Sequence, residues 1–324
     1  MNNSELAEFV KKFAGKKVAV VGDIALDSYL FGKVNRVNPE RPGYPLLTVE
    51  KEEYRLGCAA NVAMNLASLG AEVSLYGWIG EDEKGKIIWG ECQKNGIRLV
   101  CVKRDKTITK QRWIESNHND YLGRADFGEE KIEAIDEKQA EELFENIIVN
   151  GFQAIVLSDY NKGIFKGNFS RRIIDWANSH GILTVVDPKP VNALSFSGAS
   201  LIRPNLSEAQ AIIGEKEMDL ALLAKKLKDR VQSREVVISC GSQGMIVDDG
   251  GFHHIKTKAR QVVDVTGAGD TVAATLTLSL LSGANLVESA QIANYAAGVV
   301  VEKQGTATVN AEELIKRIGE EENA

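Results

Sequence analysis

The segment Asp264-Val265-Thr266-Gly267-Ala268-Gly269-Asp270-Thr271 concentrates the chemistry of this 324-residue chain. Its glycines allow tight backbone geometry, and it leads from an expected strand into a long, nearly all-apolar stretch that reads as a helix. The N–H groups of a helix's first turn lack intrahelical acceptors and lie at the positive end of the dipole, so such a loop can hold phosphate oxygens. An acid in that turn, Asp270, is either a helix-capping charge or a general base beside the anion. The loop lacks the Gly-Lys-Ser/Thr ending of a Walker loop, so the glycines alone do not decide between these readings.

Other residues carry weaker signals of the same kind. Asp23 directly follows the apolar run Lys17–Gly22, at the strand end where open α/β sheets bind ligands. Ser239-Cys240-Gly241-Ser242-Gln243-Gly244 ends another apolar run and leaves room for close backbone approach, although an ordinary turn has the same composition. Asn205 and Glu208 form an N-x-x-E set before a helical pattern, which by itself describes a helix cap. Cys58, Cys92, Cys101 and Cys240 contain no CxxC pair and the four histidines no HExxH, which argues against a thiolate or zincin metal site and suits reduced thiols in a cytosolic protein. His253 and His254 read as surface residues of an edge strand.

The elements that must position these residues follow from hydrophobic periodicity. Short apolar runs at 17–22, 73–76, 154–157, 183–186 and 236–239 read as buried strands. Helical patterns separate them at 59–69, 83–95, 136–149, 167–179, 218–229, 268–282 and 286–303, after an amphipathic N-terminal helix. The fold class is therefore α/β, with a doubly wound, mostly parallel sheet, in a single domain spanning 1–324. Residues 25–55 and 97–127 break the rhythm and read as strands (Ile97–Val102, Thr107–Ile114 and Tyr121–Phe127 in the second), which predicts a small β-rich lid built from both segments. Lys and Arg total 39 against 45 Asp and Glu, a net charge of −6 with both signs interspersed, which favours a soluble cytoplasmic protein over a nucleic-acid binder. No uncharged run is long enough to span a bilayer, the nearest being 271–287.

Taken together, the motifs resemble those of the ribokinase-like (PfkB-type) carbohydrate kinases, in order and over nearly the whole chain. Gly57-Cys58-Ala59-Ala60-Asn61-Val62-Ala63 is similar to the family's N-terminal sugar-binding signature, and Asp264 to Asp270 to its catalytic signature. Within that family the stretches Val20–Asp23 with Asp27, Arg36–Glu40, Thr107–Lys110 with Arg112, Leu157–Tyr160 with Lys162-Gly163, Asp187–Lys189 and Pro204–Glu208 are most similar to the D-glycero-β-D-manno-heptose 7-phosphate kinases. Cys58 stands where Gly is common, Thr275 where a smaller residue is usual, and 117–124 departs from the pattern.

The resemblance implies ATP and Mg²⁺ as cofactors, with a monovalent cation near Asp264 as a further expectation. It makes Asp270 the general base and the N–H groups of Gly267, Ala268, Gly269 and Asp270 the anion hole. Asp23, Asp27 and Asn61 are then expected to bond sugar hydroxyls, with Asp159 also on the substrate side. Lys110, Arg112, Lys162, Lys189 and, less specifically, Arg124 are candidates for a sugar phosphate. Asn205 and Glu208 are expected to position the triphosphate and Mg²⁺, Glu208 mainly through water, with ATP along Ser239, Gly241 and Gly244 and against Asn294. A lid would exclude water from phosphoryl transfer, and its strand edges suggest a homodimer through it. Some relatives fuse this kinase to a nucleotidyltransferase, so with the chain ending at Ala324 a separate nucleotidyltransferase is expected. A kinase of the same fold acting on fructose, ribose or a ketohexose phosphate stays open, as does a catalytically silent sugar-binding protein.

Overall fold

In the run Lys17–Gly22 successive side chains point to opposite faces, and both faces are covered: Val18 and Val20 join one buried cluster, Ala19 and Val21 another. A strand buried on both sides belongs at the centre of a helix-covered sheet. The computed structural model describes residues 3–320 except positions 37, 42, 119, 131–132 and 217–218. In chain order its elements are α1 (Asn3–Val10), β1 (Lys17–Gly22), β2 (Ile24–Lys33), β3 (Thr48–Cys58), α2 (Ala59–Ser68), β4 (Glu72–Gly80), α3 (Glu83–Lys94), β5 (Arg98–Arg104), β6 (Thr109–Glu115) and β7 (Asp120–Phe127). There follow α4 (Glu137–Ile148), β8 (Ala154–Ser158), α5 (Phe169–Ser179), β9 (Leu183–Asp187), β10 (Leu201–Ile202), α6 (Leu206–Ile213), α7 (Leu220–Val231), β11 (Glu235–Ser239), β12 (Met245–Asp248), β13 (Phe252–Ile255), α8 (Ala268–Leu281), α9 (Leu286–Val300) and α10 (Ala311–Glu320).

Nine strands form the main sheet in the order β13-β12-β11-β10-β9-β8-β1-β4-β5, parallel throughout except for the antiparallel β11-β12-β13 edge. One core lies between this sheet and α1, α2, α8, α9 and α10, the other between its opposite face and α4, α5, α6 and α7. Four further strands, ordered β3-β2-β6-β7, make a second, smaller sheet, here termed the lid, from the segments expected to build one. The five buried strands read from periodicity all lie in the main sheet, and His253 and His254 lie on its edge strand β13.

Three sequence expectations need correction. The run at 97–102 is β5, paired in parallel with β4 in the main sheet, so the lid's second segment starts only at β6; the run satisfies a buried edge as well as a lid strand, and only pairing distinguishes them. No strand precedes the glycine-rich loop, since residues 256–267 form neither helix nor strand. The helix expected over 218–229 runs from Leu220 to Val231, and residue 218 lies outside the described residues. Among the described residues no helix is long and apolar enough to cross a membrane. The apolar stretch beginning at Thr271 is α8, a buried core helix whose Thr275 and Thr277 return their hydroxyls to the backbone carbonyls of Thr271 and Ala273 at 2.8 Å.

The two sheets meet where β1 runs through Asp23 straight into β2 and where β3 ends at Cys58 and enters α2. The joint is tight: a Cβ on Gly22 would sit 2.2 Å from the carbonyl oxygen of Ser158 and 2.8 Å from the Ala59 Cβ. Gly22→Ala should therefore destabilise the protein by about 1–3 kcal/mol, the usual cost of forcing a methyl into a packed core. Urea unfolding measures this, and a midpoint equal to wild type would show that the joint relaxes freely.

Candidate active site

Asp270 lies in the first turn of α8, 4% exposed, and its carboxylate is held from two sides. The Asn61 side-chain amide, on α2, donates to Oδ2 at 2.7 Å, and the Tyr160 hydroxyl, on the loop after β8, donates to Oδ1 at 2.7 Å. Burial pushes the Asp270 carboxyl up to about 6; the bonds from Asn61 and Tyr160 oppose that rise, nearby Asp187 adds to it, and Arg203 opposes it. The glycines in front are demanded by close neighbours. Gly267 caps α8 with φ of 81°, and a Cβ there would lie 2.7 Å from the Asn61 Nδ2, while one on Gly269 would lie 3.2 Å from the Arg203 Nη2. Ala268 turns its N–H back onto the Val265 carbonyl at 3.2 Å, so of the four expected anion-hole donors this one is already committed.

Behind that turn stands a buried ion pair absent from the sequence expectations. Arg203 is 3% exposed and bridges the Asp187 carboxylate at 2.5 Å and the Ser239 hydroxyl at 3.2 Å. Two signals were present: an arginine directly after the buried pair Leu201-Ile202, and an acid directly after the buried run of β9, as Asp23 follows β1.

Several residues expected to face a sugar prove to brace the site. Asp23, 1% exposed, accepts the N–H groups of Tyr160 and Lys162 at 2.9 Å on Oδ2 and that of Ile164 at 3.3 Å on Oδ1. Burial pushes its carboxyl up to about 6 against those bonds. Asp159 accepts the N–H groups of Asn161 at 2.7 Å and Lys189 at 2.9 Å, together with the Asn192 amide. Both acids thus fix the loop carrying Tyr160. Asp27 bonds the Arg112 guanidinium at 2.8 Å, an ion pair in which both side chains are nearly buried. Lys110 points its ammonium at the Cys58 thiol at 3.1 Å and lies 5.0 Å from the Tyr160 ring centroid, with Lys189 on the same ring at 5.4 Å.

The expected cation cluster thus divides. Lys110, Arg112 and Lys189 gather around Asp27, Cys58 and Tyr160, whereas Lys162 pairs with Glu129 and Arg124 with Asp126. The divergent stretch at 117–124 makes the β6–β7 turn and the start of β7; Glu115 accepts the backbone N–H groups of Asn117 and His118, and residue 119 lies outside the described residues. Cys58 has φ of 55° and ψ of −133°, a conformation that L side chains rarely adopt. Its thiol is pushed up to about 12 by burial, so it meets Lys110 as a neutral acceptor.

At the other end of the groove, Asn205 and Glu208 form a complete capping box on α6: the Glu208 N–H donates to the Asn205 side chain at 2.9 Å and the Asn205 N–H to the Glu208 carboxylate at 3.0 Å. Lys189 pairs with the other Glu208 oxygen. Asn205 also bridges in parallel to Ser239, which brings the cap beside the turn at Gly241 (φ 56°) and Gly244 (φ 89°). The Asn294 amide donates to the Lys256 carbonyl at 2.6 Å, pinning the chain after β13. Asp264 accepts the N–H groups of Thr266 and Gly305, both at 2.9 Å, and so ties the glycine-rich loop to the segment after α9; those bonds hold its carboxyl below the usual range despite partial burial. Among the described residues no group of three or more His, Cys, Asp or Glu could hold a metal by itself. The site therefore brings together an ionisable acid at a helix N-terminus, cations on one side and a glycine-containing turn on the other, which suits transfer of a phosphoryl group to a hydroxyl.

Residues 16–313 match the pfkB family of carbohydrate kinases. Proteins named bifunctional protein HldE are similar over most of the chain. That of Haemophilus influenzae (strain PittEE) is 38% identical over 315 residues, covering 95% of this chain and 65% of its own length. That of Shewanella sp. (strain MR-4) is 41% identical over 316 residues, covering 94% and 64%. The chain thus spans just under two thirds of the length of these relatives. Among solved structures, phosphofructokinase-2 from Escherichia coli in complex with potassium has a TM-score of 0.79 at 18% identity, covering 94% of this chain and 99% of that one. Ribokinase from Thermotoga maritima has a TM-score of 0.72 at 18% identity with the same coverage. At such identity these likenesses show the fold, which is ribokinase-like.

Removing one member of a nearly buried ion pair strands the other. Arg112→Met should lower stability by about 3–5 kcal/mol through the unpaired Asp27, and Asp27→Asn/Arg112→Met should recover much of that loss. Chemical unfolding of the two variants reads this out; equal losses in both would mean that the pair contributes only packing.

Proposed function

The chain belongs to the pfkB family of carbohydrate kinases and is an ATP-dependent sugar kinase, and on that premise we propose that it phosphorylates the anomeric hydroxyl of D-glycero-β-D-manno-heptose 7-phosphate to give the 1,7-bisphosphate. The observation that carries the reading is the buried Asp270 carboxylate in the first turn of α8, bonded to a tyrosine, Tyr160, whose ring is flanked by Lys110 and Lys189. Supporting the choice of acceptor are the heptose-kinase-like stretches of the sequence, the likeness to HldE proteins at 38–41% identity, and cations on the acceptor side of the base, which a neutral sugar does not need.

In the reaction the acceptor's hydroxyl proton passes to Asp270 as its oxygen attacks the γ-phosphorus in line. The new oxygen–phosphorus bond forms as the bond from the γ-phosphorus to the β,γ-bridging oxygen breaks, and ADP leaves with that electron pair. Charge on the transferred group falls to the α8 N-terminus, through the N–H groups of Gly267, Gly269 and Asp270 and the dipole behind them. Asn61 holds one oxygen of the base, and Lys110 and Arg112 take the distal phosphate of the acceptor. The braces from Asp23 and Asp159 keep the Tyr160 loop still while this happens.

Family membership implies a divalent metal with ATP. The donors present fit a hydrated Mg²⁺: the Glu208 carboxylate lies near enough to Asp187 to raise the proton affinity of Asp187, so the two acids border one space, and Mg²⁺ keeps most of its waters. Glu208 and Asn205 would hold it through water, and its chemistry there is neutralisation of triphosphate charge. On the lid, Trp113, Tyr121 and Phe127 are exposed beside the free edge strand β7, and we extend the proposal to a homodimer covering that face. Sedimentation as monomer alone at micromolar concentration would remove this extension.

Coupled ADP release with Mg-ATP tests the acceptor. Heptose 7-phosphate should exceed fructose 6-phosphate, fructose and ribose by a hundredfold or more in kcat/KM, about 2.7 kcal/mol of transition-state discrimination. A preference for another acceptor would keep the kinase and overturn the heptose assignment. The base must be ionised to act, and its carboxyl sits at about 6, so kcat/KM should fall as pH drops through about 6 and level off above it. Asp270→Asn should lower turnover by roughly three or more orders of magnitude with ATP binding retained; near-normal turnover would refute the role.

A further inference from the structure

Tyr160 takes no part in the reaction as derived above, yet it touches the base, two of the cations and the foot of the lid. Its hydroxyl donates to the Asp270 Oδ1 at 2.7 Å. Its ring lies between the ammonium groups of Lys110 and Lys189, 5.0 and 5.4 Å from the centroid, and packs on Ala25, Cys58 and Ile108 at the base of the lid. Its N–H donates to Asp23, whose carboxylate also receives Lys162 and Ile164, so the backbone beneath the ring is fixed independently of the phenol. Asn61 already holds the Oδ2 oxygen of Asp270 from the other side, and the geometry leaves the carboxylate no freedom to rotate while both bonds stand.

We infer that Tyr160 is a positioning residue for the base: its phenol, seated between two cations, orients the Asp270 carboxylate and stabilises its ionised form through the bond to Oδ1. The charged and titratable groups facing this pair are Asp187 from β9, Arg203 after β10, Cys58 before α2, Lys110 from β6 and Lys189 after β9. Of these, Arg203 also favours the carboxylate, whereas Asp187 disfavours it, and the two are paired with each other. The direct bonds from Tyr160 and Asn61 are thus the principal counterweight to burial. The phenol itself is held far above its ordinary range by burial and by Asp270, and it remains a neutral donor at any working pH.

The inference rests on Asp270 as the base. Tyr160→Phe is the discriminating variant, because it keeps the ring for Lys110 and Lys189 and deletes only the donor. With the donor gone, the carboxylate holds its proton to higher pH, and the acid limb of kcat/KM should move up by about one pH unit. The loss against wild type should be about twentyfold at pH 5.5 and shrink to about two- to threefold at pH 8.5, with the KM for ATP unchanged. The profile is recorded with whichever sugar the wild type turns over best, so a wrong acceptor assignment leaves it intact. A merely structural role predicts an equal loss at every pH, and that result, or no loss at all, overturns the inference. Should Tyr160→Phe fail to accumulate as folded protein, 3-fluorotyrosine at position 160 keeps the shape and strengthens the donor. The acid limb should then move down, and an unmoved limb overturns the inference equally. Asp270→Asn measured in parallel separates the two readings: if it retains turnover, the base assignment falls and the inference with it.

Discussion

As the proposed base, Asp270 needs two opposed things from its surroundings, exclusion of water and support for a negative charge. Burial alone would leave its carboxyl protonated at neutral pH, and exposure would let water compete for the phosphoryl group. The compromise is a carboxyl held at about 6, reached with one donor from α2, one from the loop after β8, and the N-terminus of α8. Those donors come from segments far apart in the chain, so the constraint is met only when β1, β8, β9 and the three segments are assembled together. This has a thermodynamic consequence. A carboxyl whose folded value lies near 6 and whose unfolded value lies near 3.8 binds its proton more tightly when folded, so its contribution to stability declines as pH rises from about 4 to about 6 and stays low above that. Asp23 and Asp270 each cost about 3 kcal/mol at neutral pH on this account, a sizeable fraction of an ordinary domain's stability.

The second organising feature is the joint between the sheets. The chain passes from the main sheet to the lid at Asp23, returns at Cys58, and crosses again near Thr107, whose N–H and hydroxyl both donate to the Asp82 cap of α3. Each crossing places a hydrogen-bonded side chain at a strand end. Asp23 turns its carboxylate inward to brace the Tyr160 loop, and Cys58 takes a glycine-like backbone while keeping a thiol against Lys110. The lid is docked at further points: Arg55 donates to the Gln304 carbonyl at 2.8 Å and stacks on Tyr29, joining β3 and β2 to the segment after α9. The two sheets are consequently parts of one framework.

Periodicity alone determined a great deal. Continuous apolar runs can be buried only between two helical layers, so the five parallel strands and the helices between them were legible from residue types, as was the presence of further strands within 25–55 and 97–127. The glycine-rich loop and Asp270 were legible for a local reason too, since loop, glycines and acid are contiguous. The assignment of β5 was not legible, because an apolar run satisfies an edge strand of either sheet and only the pairing with β4 decides.

What the tertiary structure decided is which polar side chains meet. Asp23 and Asp270 look alike in sequence, acids beside buried elements, yet one is saturated by three backbone N–H groups and the other by two side-chain donors more than a hundred residues away. Lys162 and Lys110 look equally suited to a phosphate, yet Glu129 takes the first while the second faces a neutral thiol and a ring. Tyr160, Arg203 and Asp187 all stand at or just beyond strand ends, yet nothing in residue order tells which partner each one meets. Hydrogen bonds and ion pairs act over about 3 Å, and contacts so short between residues so distant in the chain are fixed by the packing of the sheet, which residue order does not reveal.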